Sequence, residues 1–222
     1  MLELKSFSVS IGERKIVDNA DIKVLDREKC LLVGPNGAGK TSLLKAIMGF
    51  PGYSSSGRIL LNGEDISSIP INERFHKGIF LLFQDTEDIG VRIGRLLNII
   101  SLGKEGNIES ALNELKINKE FIKREISRSL SGGERKIVEM LQLLVSNPKL
   151  ALIDEFDAGV DFSLLKNFTD TINSKDFSSI IVTHNYSTIN MLKINRIFLL
   201  KDRMLKEIDK EELERIAKEG YG

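Results

Sequence analysis

Gly34-Pro35-Asn36-Gly37-Ala38-Gly39-Lys40-Thr41 fits G-x-x-x-x-G-K-[ST], the pattern of a phosphate-binding loop. The apolar run Leu31-Leu32-Val33 precedes it, and Ser42-Leu43-Leu44-Lys45-Ala46-Ile47 follows in a helical pattern. That strand–loop–helix context is what the pattern requires. Three glycines allow the backbone to wrap a phosphate with its N–H groups turned inward, and the new helix adds its positive end. Gly34, Pro35, Asn36, Gly37, Ala38, Gly39, Lys40, Thr41 and Ser42 are therefore the candidate nucleotide-binding positions. Lys40 can reach the β- and γ-phosphates, and Thr41 offers a hydroxyl to Mg²⁺. The competing reading is a plain Gly-rich turn. The register of Lys40 and Thr41 weighs against it, and a nucleoside triphosphate is the expected ligand.

The 222 residues suffice for one generous domain or two small lobes. With 41% hydrophobic and 29% charged residues, a soluble globular chain with a full core is expected. Lys+Arg and Asp+Glu both number 32, so the formal net charge is zero and no nucleic-acid partner is expected. Cys30 is the single cysteine, which excludes an internal disulfide and suits a cytoplasmic location. The chain alone also lacks the thiols for an all-cysteine iron–sulfur cluster or a typical structural zinc. The place of Cys30 before Leu31-Leu32-Val33 predicts a small buried hydrophobe. No run approaches the roughly 18–20 apolar residues that span a bilayer. Met1-Leu2-Glu3-Leu4-Lys5 lacks a signal-peptide pattern, so any work at a membrane is expected to need another chain.

Leu2-Glu3-Leu4-Lys5, Lys15-Ile16-Val17 and Ile22-Lys23-Val24 predict strands near the start. Four runs are apolar at every position: Leu31 to Val33, Ile79 to Phe83, Leu150 to Ile153 and Ile180 to Val182. Such runs suit strands covered on both faces of a largely parallel sheet, with helices alternating between them. Gly57 to Gly63 predicts a further strand ending in an Asn62-Gly63 turn. From about Asp85 to Pro148 the alternation stops. Leu96, Leu97, Ile99 and Ile100 predict one helix there, and Ile108, Leu112, Leu115 and Ile117 a second. Ile137, Met140, Leu141 and Leu144 form the stripe of a third. The expected class is α/β, one domain over 1–222, with an α/β core (1–84 and 149–222) and a helical subdomain at about 85–148.

Leu150-Ala151-Leu152-Ile153 runs into two acids, Asp154 and Glu155. Successive strand residues point to opposite faces, so the two carboxylates are free to take different jobs. Beside a phosphate loop, the first typically helps hold Mg²⁺ and the second can polarise an attacking water as general base. Alone, the pair would read as a solvated loop. Leu130-Ser131-Gly132-Gly133-Glu134 forms an S-x-x-E capping box ahead of the third stripe. Plain capping explains Ser131 and Glu134. A Ser-Gly-Gly helix start is also a good anion site, because nothing bulky shields its N–H groups.

With these motifs in this order the chain resembles the nucleotide-binding domain of ABC-type ATPases, with a P-loop core, an N-terminal antiparallel β part and an inserted helical subdomain. Gln84 matches the glutamine that contacts Mg²⁺ and links to the helical lobe in that family. Asp161 matches the acid of the segment after the Asp-Glu pair, and His184 the histidine near the γ-phosphate. The resemblance implies two copies paired head to tail. ATP would lie between the phosphate loop of one copy and Ser131, Gly132 and Gly133 of the other. Lys40, Glu155 and His184 would be the catalytic set, and Thr41, Gln84 and Asp154 the Mg²⁺ ligands. His76 has no such context and reads as a surface residue.

Transporter subunits of the family most often read Asp-Glu-Pro-Thr. This chain has Asp154-Glu155-Phe156-Asp157-Ala158-Gly159-Val160-Asp161, similar to the ATPase subunit of the Suf iron–sulfur assembly system (SufC), in which an acid occupies the Asp157 position. Gly49 to Tyr53, Asn72-Glu73-Arg74, Leu141-Gln142 and Gly220-Tyr221 resemble it as well. A SufB/SufD-type scaffold would then be the partner; the alternative is the permease of a membrane transporter. The segment between Gln84 and Leu130 is shorter than in familiar Suf ATPases. Ile11 stands where many transporter ATPases stack an aromatic on adenine, a residue Suf ATPases also commonly lack, which leaves ATP and GTP both open. A binding module that hardly hydrolyses would be expected to lose Glu155 or His184. A DNA-repair ATPase would need a long coiled-coil insertion.

Overall fold

Leu2, Leu4, Phe7 and Val9 are buried along β1 (Leu2–Ile11), and the spacing slips by one between Leu4 and Phe7. The slip is a β-bulge: Ser6 takes φ 47°, and pairing with β2 (Arg14–Val24) shifts register there, which returns Phe7 to the core side. The computed structural model describes residues 1–82, 90–101 and 105–221. After the β1–β2 hairpin, β3 (Lys29–Val33) runs into the Gly-rich loop and α1 (Lys40–Met48). β4 (Ser54–Leu61) and β5 (Glu64–Asp65) complete an antiparallel sheet of order β2-β1-β4-β5. Asn62 (φ 52°) and Gly63 (φ 84°) make the turn between them, both in the left-handed region that an Asn-Gly pair tolerates.

Next come α2 (Ile71–His76), β6 (Ile79–Leu82), α3 (Ile93–Ile100), α4 (Glu105–Glu114), a 3-10 helix (Lys119–Lys123) and α5 (Gly132–Ser146). β7 (Leu150–Asp154), α6 (Phe162–Ser174), β8 (Ser178–Val182), α7 (Tyr186–Met191), β9 (Arg196–Lys201), β10 (Met204–Ile208) and α8 (Lys210–Glu219) follow. The second sheet has the order β10-β9-β3-β8-β7-β6, parallel throughout except for β10. Every residue of β3, β6, β7 and β8 is buried, as continuous apolar runs require. Phe83, expected to end β6, lies outside the described residues. β2 is one strand although the sequence suggests two fragments; it is an edge strand, and its polar middle (Asp18, Asn19) is exposed.

The two faces of the parallel sheet are packed differently. Cys30, Leu32, Leu150, Leu152, Ile180 and Val182 join a core with α1 and the antiparallel sheet. Ala151, Ile153 and Ile181 pack with the helices of the other face. Burial pushes the Cys30 thiol up to about 12, in keeping with a packing role. β3, β8 and β7 are neighbours and point the same way, so whatever follows their C-terminal ends is brought side by side. That end of an open parallel sheet is where ligands bind.

Candidate functional site

The loop after β3 requires glycine at two points. A Cβ on Gly34 would stand 2.2 Å from the Leu200 carbonyl oxygen, and one on Gly39 (φ 105°) would stand 2.2 Å from Ile16 Cγ2. Lys40 is buried at the start of α1. Its Nζ donates to the Gly34 carbonyl at 2.7 Å and the Pro35 carbonyl at 3.0 Å, so the loop closes round its own lysine. Burial lowers the Lys40 pKa, against the pull of Glu155 and Asp154.

Asp154 ends β7 and is 4% exposed. Burial raises its pKa and Glu155 adds to the rise, while a hydrogen bond with the Thr41 side chain, Lys40 and Lys45 oppose it. Its Oδ1 has no hydrogen-bond partner. A buried carboxylate oxygen left over beside a threonine hydroxyl is a donor set that fits a hard divalent cation such as Mg²⁺. Glu155 leaves the strand with φ 45°, its N–H donating to the Val182 carbonyl at 2.9 Å. This kink carries its side chain towards the end of β8, and Oε1 lies 3.7 Å from His184 Nε2. Desolvation lowers the His184 pKa, helped by Lys40 and opposed by Glu155, Asp157 and Asp154, so the imidazole is neutral near pH 7.

A cavity of about 710 Å³ opens here, with Pro35, Asn36, Glu155, Asp157, His184 and Tyr221 on its walls. A second, of about 620 Å³, lies on the other side of the loop, with Arg14, Lys15, Asn36, Gly37 and Arg203 among its lining. Ile11 is exposed and lines neither. The site therefore gathers a glycine-rich loop, a buried lysine, two acids of different exposure and a neutral histidine.

The family described as ABC transporter matches residues 17–158. The chain belongs to the ABC transporter family. It is 32% identical over 220 residues to the "Probable ATP-dependent transporter ycf16" of Antithamnion sp., an alignment covering 90% of this chain and 88% of that one. It is also 32% identical to the "Probable ABC transporter ATP-binding protein SpyM3_0208" of Streptococcus pyogenes serotype M3, over 100% of this chain and 93% of that one. The fold is that of the nucleotide-free ATP-binding cassette of an ABC transporter, with a TM-score of 0.82 over 99% of this chain and 95% of the other at 24% identity. This is an ATP-binding ABC ATPase with an α/β P-loop fold.

The remaining positions named for the ABC resemblance lie elsewhere. Ser131 is the N-cap of α5: its Oγ accepts the Glu134 N–H at 3.2 Å, and Glu134 Oε2 accepts the Ser131 N–H at 2.8 Å. The Arg124 guanidinium holds both Glu134 oxygens, which keeps that carboxyl below its usual range. Gly132 has open space where a Cβ would stand. Asp161 is the N-cap of α6, accepting the Leu164 N–H at 3.0 Å. Neither Ser131, Gly132, Gly133 nor Asp161 lines the two cavities beside the phosphate loop. Gln84 lies outside the described residues.

Two residues take places that sequence patterns do not reveal. The Asp157 carboxylate holds the hydroxyls of Thr183 and Thr188, far away in sequence. Tyr221 reaches the first glycine of the loop. The sequence signals for both are the family likeness of an acid after Glu155-Phe156 and of the Gly220-Tyr221 pair; neither says what the side chain touches.

Proposed function

We propose that this chain is the ATP-hydrolysing subunit of a Suf-type iron–sulfur cluster assembly system, cytoplasmic, driving conformational change in a SufB/SufD-type scaffold. Asp157 carries this reading. Where transporter subunits most often have threonine, this chain has an acid, and the fold uses it: the carboxylate is buried and tied to Thr183 and Thr188 on either side of His184. The whole of 1–222 is one ABC-type ATPase domain on this reading, with its core in 1–84 and 149–222 and a helical subdomain at about 85–148.

Hydrolysis would divide among the residues as follows. The loop from Gly34 to Gly39, with Thr41 and Ser42, wraps the phosphates. Lys40 leaves the Gly34 and Pro35 carbonyls for the β- and γ-phosphate oxygens and offsets the charge that develops there. Asp154 and Thr41, with Gln84, would hold Mg²⁺, which supplies further charge neutralisation at those oxygens. Glu155 orients and deprotonates water, and His184 steadies the γ-phosphate. Because Ser131, Gly132, Gly133 and Asp161 line neither cavity beside their own chain's loop, they are left to serve the loop of a second copy paired head to tail. Glu155→Gln is expected to accumulate an ATP-bound dimer on gel filtration; rapid turnover by that variant would remove Glu155 as the base.

The second reading is the ATP-binding subunit of a membrane transporter, favoured by the transporter names of the relatives. Among the described residues no helix is long and apolar enough to cross a membrane, so a separate permease would be needed. Affinity purification from the native cell in mild detergent separates the two. A non-spanning partner supports the assembly reading, and a multi-span partner replaces it with transport.

A further inference from the structure

Gly34 is buried, and its N–H lies just past the last β3–β9 pair, Val33 with Leu199. A buried N–H beyond the end of a ladder needs a partner. The Tyr221 hydroxyl supplies it, accepting the Gly34 N–H at 3.1 Å. The carbonyl of the same glycine accepts Lys40 Nζ at 2.7 Å. One residue is thus held from its N–H by Tyr221 and from its carbonyl by the buried lysine of the same loop.

Tyr221 is in turn fixed from both ends. Gly220, at φ 84°, turns the chain out of α8. The Lys201 ammonium donates to the Tyr221 carbonyl, and the ring packs on the small core around Leu31, Val33 and Leu199. The Tyr221 ring also stands on the wall of the cavity that holds Glu155 and His184. On its other side it closes a cavity of about 660 Å³ between the β9–β10 hairpin and α8.

We propose that Tyr221 is a positioning residue for nucleotide binding: its hydroxyl sets where the phosphate loop begins, so docking of the 220–221 segment tunes the affinity for the triphosphate. The inference rests on ATP occupying this loop. Tyr221 does not touch the reacting atoms, so its influence falls on ATP and ADP alike and on KM rather than kcat.

The test compares the wild type, Tyr221→Phe and Lys201→Met. Tyr221→Phe keeps the ring and removes the acceptor. Dissociation constants for ATP and ADP come from titration calorimetry, KM and kcat from steady-state hydrolysis, and the nucleotide-free melting temperature from a thermal scan. Without that hydrogen bond the binding-competent loop is less populated in the free protein, and a bias of about 1 kcal/mol against it raises Kd and KM about threefold to tenfold. The kcat is expected to hold, and the nucleotide-free melting temperature to fall by about 2–6 °C, because the buried Gly34 N–H loses its acceptor. Lys201→Met, which frees Tyr221 at its backbone, is expected to act in the same direction, and the double variant to be no worse than the weaker single. Unchanged affinity in Tyr221→Phe overturns the proposal, as does an equal affinity loss in Leu112→Val, a comparably destabilised variant in the core of the helical face. A wild type that binds no ATP overturns the nucleotide-site reading itself, and this inference with it.

Discussion

Asp157 accepts the Thr183 hydroxyl at 2.7 Å, and the same carboxylate oxygen accepts the Thr188 hydroxyl. Thr183 immediately precedes His184, and its own oxygen accepts the Asn185 N–H at 3.0 Å. An acid two positions beyond Glu155 therefore fixes the peptide on both sides of the histidine. Asp157→Ala strands two fully buried hydroxyls. It is expected to lose about 2–4 kcal/mol in urea unfolding, and to lower kcat about tenfold or more with ATP affinity retained. Asp157→Asn keeps an acceptor and is expected to recover most of the stability. Wild-type kcat in Asp157→Ala would detach this contact from turnover.

His184 is expected to set the acid limb of activity. Lys40, Glu155, Asp157 and Asp154 face it, and desolvation is the largest influence, so its pKa lies below the ordinary histidine value. The unfolded chain then binds more protons than the folded one once pH falls below about 6.5, and stability declines on acidification from that point. A protonated imidazole would also pair with Glu155, 3.7 Å away, and weaken it as a base. The expected kcat profile is flat around pH 7, and its acid limb lies on the acid side of the ordinary histidine range, as the lowered pKa requires. His184→Gln is expected to be slow at every pH and to lack that limb; a limb unchanged in His184→Gln assigns it to another group.

Asp154 is expected to trade stability against metal binding. Its folded pKa is raised by burial, so the ionised form near pH 7 is held at a cost. Asp154→Asn removes that charge. The nucleotide-free variant is expected to melt about 2–4 °C higher, the shift that roughly 1 kcal/mol gives in a domain of this size. Its ATP affinity should no longer respond to Mg²⁺. A lower melting point, or an intact Mg²⁺ response, would contradict the unsatisfied Oδ1 as the metal position.

Arg74 supports the phosphate-loop helix from behind. Its guanidinium is buried and donates to the carbonyls of Ile69, Ala46, Ile47 and Ser67 at 2.6–3.1 Å. Two of those carbonyls close the end of α1, where a cation also suits the helix dipole. Arg74→Met is expected to cost about 3–5 kcal/mol in urea unfolding. Arg74→Lys should recover little, because one ammonium cannot reach four carbonyls set in a fork. A loss under about 1 kcal/mol would show that water replaces the guanidinium readily.

The parallel strands and the phosphate loop were readable because their signals are local. Leu31 to Val33 and Leu150 to Ile153 are apolar at each position, and the loop pattern spans eight consecutive residues. Sheet order then brings Lys40, Asp154, Glu155 and His184 together without further instruction. The bulge at Ser6, the four carbonyls around Arg74, and the partners of Asp157 and Tyr221 were not readable. Each depends on a contact whose two halves lie far apart in the chain or on a backbone torsion that no side-chain pattern records. Asp157 and its threonines are separated by 26 and 31 positions, and Tyr221 and Gly34 by 187.

Glu155 sits at φ 45°, a conformation that disfavours a side chain with a Cβ by about 1 kcal/mol or more. Glycine would occupy that position with less strain. A drifting copy in which glycine replaced Glu155 would shed that strain, and backbone energetics at this position would not purge the change. If Glu155 is the base proposed above, a glutamate here is expected to persist only where turnover itself is under selection.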